Sequence, residues 1–384
     1  MRVVGVAVLS LFVAVACGGG GTPTAAHSPK SRPATPSAGA TSTASTSAIP
    51  SGSPGPASLV HCPGAVPAGD NLVIGTVVGD PTIVVRDIQD PANAKNVCTL
   101  DAGALAPQFV SASTVAYETA ENQIVEAPVA GGPTTLIATY SSGFGSGQYA
   151  VSPDGRSVTY LDGNAWRVVS SSGNRVLSTL PAAPNRGVAF NQDDSFLAFS
   201  PDGLYVALFQ TFHVGGSGET APDQVRKASD GQLVYSTTGM TMAVWASVPS
   251  RLFFRDNSGN LHRWDPSSGL SAMTSLGWTR PKASPDGRWI AYTFPTVSGV
   301  GGVGFYSVQS NSVQNTSPPG RSGVRFLTND LVWYIGEKQC STCFGGQPTP
   351  TGVTYIYSIA GSSEITSRLA STSDAWPKVT APGL

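Results

Sequence analysis

The sequence is poor in charged residues and in histidine. Only 12% of its 384 residues are Asp, Glu, Lys or Arg, and the formal net charge is −1. No basic stripe stands out, which disfavours nucleic acid as a partner. The four histidines, His27, His61, His213 and His262, lie far apart in the sequence. They are too few for a histidine-based metal cluster, and we predict neither a metal nor a cofactor.

The sequence also lacks the short motifs of common catalytic sites. It has no Gly-x-Ser-x-Gly nucleophile elbow, because residues 143–147 place the serine one position off. It has no Gly-x-x-x-x-Gly-Lys-Ser/Thr phosphate loop either. Residues 256–260 are rich in oxygen ligands but lack the downstream acidic residue of a calcium loop, so a hairpin turn is the simpler interpretation. We therefore assign no catalytic residue.

No apolar run is long enough for a transmembrane helix, which needs about 20 residues. Residues 3–16 form a shorter apolar run after Arg2 and suit the core of a secretory signal. Residues 14–17, Ala-Val-Ala-Cys, resemble a bacterial lipobox. The resemblance implies that residues 1–16 are a signal peptide and that Cys17 carries a lipid on the extracytoplasmic face of the cell membrane. Plain secretion is the alternative.

The chain divides into a low-complexity segment and a domain. Residues 18–60 are almost all Gly, Ser, Thr, Ala and Pro, a composition that cannot bury enough apolar surface to offset the entropy cost of ordering. We expect residues 17–60 to be a lipidated, disordered tether. Residues 61–384 are long enough for one large all-β domain.

A four-residue phrase occurs three times in this domain. Residues 152–155, 200–203 and 284–287 each read Ser-Pro-Asp-Gly, and an apolar run follows each of them. Pro, Asp and Gly are suited to successive positions of a tight turn, so each phrase predicts a hairpin. The Asp residues are therefore interpreted as turn formers. Apolar residues on both faces of the following strand indicate sheets that pack against sheets.

Weaker copies of the phrase fill the intervals and give a period of about 40–45 residues, which is typical of propeller blades with four strands each. We predict an all-β propeller with seven blades, with six or eight as the competing counts. The first blade, which begins near residue 70, lacks its first strand. Residues 376–383 align with residues 280–287, so we expect the C-terminal strand to complete the first blade and close the ring.

The turn phrases, with apolar strands such as Trp289-Ile290-Ala291-Tyr292, resemble the repeat of TolB-type β-propellers. The resemblance covers roughly residues 70–380. It implies a fold shared by scaffolds, receptors and enzyme domains, so it is specific for architecture and not for activity.

The five cysteines allow two disulfides once Cys17 is lipidated. An even number of remaining cysteines in an exported protein favours pairing. We predict one bond between Cys62, which follows the tether, and Cys98, which ends the first blade. We predict a second, local bond between Cys340 and Cys343. A zinc half-site and a redox pair are the alternatives for this second pair.

Long loops indicate a binding surface on one face of the ring. The loops between the second and third strands are short at 162–164 and 257–260 but expand at 211–223, 295–303 and 336–352, and the connector at 181–195 shares their face. Neutral insertion is the alternative, although loops carry function more often than the scaffold does. The candidate contact residues are Arg186, Asp193, Phe212, His213, Glu219, Asp223, Glu337, Lys338 and Phe344.

These observations favour a non-catalytic module that binds an envelope protein, a peptide or a glycan. A propeller hydrolase or lyase with carboxylates at the mouth of the channel is the alternative function. Carboxylates or arginines that cluster there with shifted pKa values would favour an enzyme.

Overall fold

A computed structural model gives the fold. It describes residues 53–66, 72–77, 80–90, 93–101, 103–141, 149–180, 197–209, 222–246, 249–274, 276–296, 299–339 and 348–367. All of them belong to the larger of two compact units, Thr46–Leu384. Over these residues the chain forms 28 β-strands and no α-helix.

The strands form seven antiparallel sheets of four strands each. The first sheet contains β1 (Val60–His61), β2 (Leu72–Val77), β3 (Asp80–Asp87) and β4 (Lys95–Leu100). The second contains β5 (Leu105–Ser111), β6 (Thr114–Glu118), β7 (Gln123–Pro128) and β8 (Thr135–Thr139). The third contains β9 (Tyr149–Val151), β10 (Ser157–Asp162), β11 (Ala165–Ser170) and β12 (Gly173–Thr179). The fourth contains β13 (Leu197–Phe199), β14 (Tyr205–Leu208), β15 (Asp223–Lys227) and β16 (Leu233–Thr237).

The remaining three sheets follow the same pattern. The fifth contains β17 (Thr241–Ala246), β18 (Arg251–Arg255), β19 (Leu261–Asp265) and β20 (Gly269–Ala272). The sixth contains β21 (Thr279–Ala283), β22 (Trp289–Pro295), β23 (Gly301–Ser307) and β24 (Ser312–Thr316). The seventh contains β25 (Arg321–Phe326), β26 (Leu331–Lys338), β27 (Thr349–Ser358) and β28 (Ser363–Ser367). In sheets two to seven the strands lie side by side in chain order.

The three Ser-Pro-Asp-Gly phrases form the same turn, and the prediction of turn-forming Asp residues is confirmed. In the first copy the Ser152 hydroxyl donates to Asp154 Oδ1 at 2.6 Å, and the Gly155 amide donates to the Ser152 carbonyl at 2.9 Å. Gly155 has φ +66°, which glycine adopts without a Cβ penalty. The other two copies repeat these bonds, with Ser–Asp distances of 2.6 Å in each.

The sheets are the blades of a closed seven-bladed propeller. The first strands of neighbouring blades contact one another, as β17 does with β21 and β21 with β25, so these strands surround the central axis. Seven apolar clusters fill the spaces between blades. One of them joins Val73 of the first blade to Trp333 and Ile356 of the seventh. This packing closes the ring, and the predicted fold class is confirmed.

The first blade differs from the other six. Its strands lie in the order β1-β4-β3-β2. The strand β1 therefore comes from the N-terminal side of the chain and lies at the edge opposite β2. Residues 376–383, which we expected to supply the missing inner strand, lie outside the described residues. Their role in closing the ring stays a prediction.

Residues 53–62 form a strap across the outer edges of the first two blades. The Gly55 amide donates to the Thr134 carbonyl at 3.0 Å beside β8, and Val60 pairs with Leu100 on β4. The strap therefore packs on the ring ahead of residue 61, where the sequence placed the start of the domain. The predicted disulfide between Cys62 and Cys98 is present and fastens the end of the strap to β4.

Candidate binding face

The two ends of the ring differ in the length of their connections. One end carries the turns between first and second strands, including the three Ser-Pro-Asp-Gly turns. The other carries the connections between second and third strands and those between blades, which we call the loop-rich end. Here the chain runs from residue 208 to residue 223 in the fourth blade and from 338 to 349 in the seventh. In the third blade the connection between the second and third strands consists of residues 163–164 alone.

The long loop expected at 295–303 in the sixth blade is shorter than the sequence suggested. β22 ends at Pro295 and β23 begins at Gly301, and the intervening turn is closed by a bond of 3.1 Å from the Thr296 amide to the Val300 carbonyl. Both strands extend into the predicted loop, and the glycines of β23 let aromatic side chains of β22 pack on its backbone. A Cβ on Gly302 would lie 2.7 Å from the Phe294 ring.

Most of the predicted contact residues lie in segments outside the described residues. This applies to Arg186 and Asp193 in the connector, to Phe212, His213 and Glu219 in the fourth blade, and to Phe344 in the seventh. Cys17, Cys340 and Cys343 also lie outside the described residues. Their assignments remain predictions.

Asp223 lies in a strand and not in the loop 211–223 where we expected it. It is the first residue of β15, its side chain is buried, and Asp223 Oδ2 accepts a hydrogen bond of 2.7 Å from the Met240 amide. This bond ties the third strand of the fourth blade to the connector that leads into the fifth. The carboxylate therefore stabilises the blade junction and is not displayed to a partner.

Glu337 and Lys338 also belong to a strand and not to a loop. β26 continues to Lys338, which pairs with Thr349. Glu337 accepts a hydrogen bond of 3.2 Å from the Gly301 amide and another from the Ser322 hydroxyl, so its carboxylate links the sixth and seventh blades. Lys338 is exposed at the loop-rich end and remains available for contact.

His262 and Asp256 form a side-chain pair at the short turn of the fifth blade. His262 Nε2 lies 2.9 Å from Asp256 Oδ2, and the Asn260 amide donates to Asp256 Oδ1 at 2.8 Å. Hydrogen bonds from His262 and then Asn260 lower the pKa of Asp256 well below its usual value. The carboxylate closes a hairpin here, so the interpretation of residues 256–260 as a turn is confirmed.

A half-buried ionic group in the seventh blade was not anticipated from the sequence. Arg321 binds Glu364 through two nitrogens at 3.0 and 2.7 Å, and the Tyr334 hydroxyl donates to the same carboxylate at 2.6 Å. The centroid of the Tyr355 ring lies 3.8 Å from the Arg321 guanidinium carbon. Burial disfavours the charge on Glu364, but the bonds from Arg321 and Tyr334 outweigh it and lower its pKa.

Asp162, at the loop-rich end of the third blade, also has a pKa lowered by hydrogen bonds within the fold. It accepts hydrogen bonds of 2.9 Å from the Ser141 amide and from Arg167 Nε. The bond from Ser141 is the main cause that lowers the pKa of Asp162. A general acid or base works best with a pKa near the working pH. Asp162, Asp256 and Glu364 are instead held ionised by bonds within the fold.

Within the described residues, no group of three or more His, Cys, Asp or Glu side chains is placed to hold a metal ion. The same residues include no helix with the length and apolar character that crossing a membrane requires.

Comparisons with known proteins support the fold. No protein-family model and no curated protein sequence matches the chain. Among solved structures, oligogalacturonate lyase from Vibrio parahaemolyticus has a TM-score of 0.50 at 12% identity, covering 84% of this chain and 88% of that one. TolB from Acinetobacter baumannii has a TM-score of 0.40 at 15% identity, covering 78% and 79%. BamB from Moraxella catarrhalis has a TM-score of 0.42 at 12% identity, covering 70% and 79%. At these identities the likeness concerns the fold alone.

Proposed function

We propose that this protein is a lipid-anchored, extracytoplasmic β-propeller that acts as a non-catalytic binding or scaffold module of the bacterial cell envelope. The lipobox-like residues 14–17 and the apolar run before them support the anchor. The disulfide between Cys62 and Cys98 supports export, because such bonds persist in oxidising compartments. The proposed partner is an envelope protein, a peptide or a glycan.

The observation that carries this proposal is the unequal length of connections at the two ends of a closed ring. The long connections at residues 209–222 and 339–348 join the same end, whereas the Ser-Pro-Asp-Gly turns form the other. A rigid scaffold that presents extended loops on one side is a common arrangement for recognition. A hydrolase or lyase is the alternative; Asp162, Asp256 and Glu364 accept hydrogen bonds within the fold and are not free to act as its general acid or base.

Trimming the long connections tests the location of the binding surface. Residues 211–221 and 340–346 are replaced by short glycine-containing turns, while the buried Asp223 is kept. Partners are then captured from envelope extract with the full chain and with the trimmed chain. We expect the trimmed chain to lose the partner, and a control with Arg156→Ala at the opposite end to retain it. Equal capture by the trimmed chain would instead favour the channel or the turn end as the binding surface.

The anchor is tested separately by Cys17→Ser and cell fractionation. We expect the wild-type protein in the membrane fraction and the variant in the soluble fraction, because the serine cannot carry the lipid. A wild-type protein that is released into the medium, or a variant that stays with the membrane, would contradict the anchor.

A further inference from the structure

The inner strands of four blades carry the same backbone irregularity. The pairing register shifts between Leu105 and Gln108 in β5, and equivalent shifts occur in β17, β21 and β25. Each shift contains one residue with positive φ: Ala106 (+48°), Met242 (+50°), Arg280 (+47°) and Gly323 (+65°). Bulges of this kind redirect side chains and are common next to functional sites.

Three of these four residues are not glycine, so the bulges at Ala106, Met242 and Arg280 are strained. Residues other than Gly, Asn and Asp rarely adopt a positive φ, and strain of this kind concentrates at binding sites. The bulges occur near the start of each inner strand, where the chain enters from the connector between blades. They therefore surround the axis at the loop-rich end, at the mouth of the central channel.

Cationic residues accompany the bulges of two neighbouring blades. Arg280 is the bulge residue of the sixth blade, and Lys282 follows two positions later on β21. Arg325 holds the position of Lys282 in the seventh blade, two residues after Gly323. β21 and β25 contact each other. Three cations on adjacent strands are notable in a chain with a net charge of −1.

Arg280 makes fewer hydrogen bonds through its guanidinium than arginines of the fifth and seventh blades do. Arg321 binds Glu364 through two nitrogens, and Arg255 Nη1 donates to the Trp278 carbonyl at 3.0 Å. Arg280 is half-buried, and its guanidinium makes no hydrogen bond or ion pair to any residue that the structure describes. Its backbone amide faces Met242 Sδ at 3.3 Å, and a thioether is a weak acceptor.

We propose that Arg280 and Lys282 form an oxyanion site at the mouth of the channel, which binds carboxylate or phosphate groups of a ligand. A guanidinium presents paired donors that match both groups, and Lys282 and Arg325 add positive charge at the same level of the ring. This proposal specifies the chemistry of the ligand that the proposed binding module takes. It rests on the proposed function only for the biological role of the site. It does not use the long loops.

Isothermal titration of the purified full chain at low salt tests the site, with citrate and inorganic pyrophosphate as probes. We expect Arg280→Gln to weaken the binding of the preferred probe at least about tenfold, the loss of one charge-assisted bond. The matched control is Arg288→Gln, which removes the same charge at the turn end of the same blade, where the Arg288 side chain is 78% exposed. The control should bind like the wild type.

A second variant separates binding from folding. Arg280→Gly removes the guanidinium but accepts the positive φ without a Cβ penalty. We therefore expect its melting temperature to equal or exceed that of the wild type while the probe is no longer bound. Preference for citrate assigns a carboxylate ligand, and preference for pyrophosphate assigns a phosphate.

Two results would overturn the site. One is wild-type protein that binds neither probe at millimolar concentration. The other is an equal loss in Arg280→Gln and Arg288→Gln, which would mean that only overall charge matters. Neither result would affect the capture experiment on the long loops, so failure of the site and failure of the proposed function can be distinguished.

Discussion

Glu364 illustrates how a single side chain holds distant strands of one blade together. It lies on the last strand of the seventh blade and accepts two bonds from Arg321 on the first strand and one from Tyr334 on the second. The side chains of Arg321 and Glu364 are 15% and 18% exposed, so solvent screens this pair less than a surface pair. Removing one partner leaves the other charge half-buried and without its compensating charge.

We expect Glu364→Gln to lower the free energy of unfolding by about 2 kcal/mol or more at pH 7. The folded state lowers the pKa of Glu364 below its usual value of 4.5. Its contribution is therefore fully present above that value and is lost as the pH falls through the folded-state pKa. Urea denaturation at pH 7 and at pH 3 should show a difference between wild type and variant that shrinks in acid.

Glu121→Gln is the matched control, because Glu121 is exposed in a turn of the second blade. We expect this variant to unfold like the wild type at both pH values. A Glu364→Gln penalty that stayed constant down to pH 3 would show that the loss arises from packing and not from the charged pair.

At the scale of elements, the Ser-Pro-Asp-Gly turns also join one blade to the next. All three Asp residues bind their own turn, but Asp202 Oδ2 additionally accepts a bond of 3.3 Å from the Ser250 amide in the fifth blade. The Asp202 amide donates to the Ser250 hydroxyl at 3.3 Å in return. Both the turn and the junction between blades depend on this residue.

Asp202→Ala should therefore destabilise the protein by about 1 kcal/mol more than Asp154→Ala. Asp154 binds within its own turn, through the Ser152 hydroxyl and the Arg156 amide, so its variant loses the turn bonds alone. Chemical denaturation of the two variants measures the difference. Equal losses would mean that the bond to Ser250 adds nothing to stability.

These turns could be predicted from the sequence because the bonds that close each turn join residues at most five positions apart, as from the Ser157 amide to the Ser152 hydroxyl. The ends of strands could not be predicted in the same way. Glu337 belongs to a strand because it pairs with Pro350 of β27, a residue 13 positions away. Asp223 is buried at the blade junction, where it accepts a hydrogen bond from the amide of Met240, 17 positions away. The pair of Arg321 and Glu364 spans 43 positions, and only the order of strands in the sheet brings the two together.

At the scale of the whole molecule, the ring depends on how the first and last blades meet. Val73 packs against Trp333 and Ile356 across this junction. The strap of residues 53–62 lies on the other side of the first blade and contacts the second. Packing against the seventh blade thus holds one side of the first blade, and the strap holds the other. The strap includes β1, which is the outer strand of the first blade.

Deleting residues 372–384 tests whether the C-terminal strand completes the first blade. If these residues pair with β2, their loss exposes the edge of that strand and weakens the packing around Val73 and Trp333. We expect the melting temperature to fall by about 10 °C or more. A chain that lacks residues 18–45 of the predicted tether is the control and should melt like the wild type. A cooperative, unchanged melt of the C-terminal deletion would mean that packing between the first and seventh blades closes the ring without a shared strand.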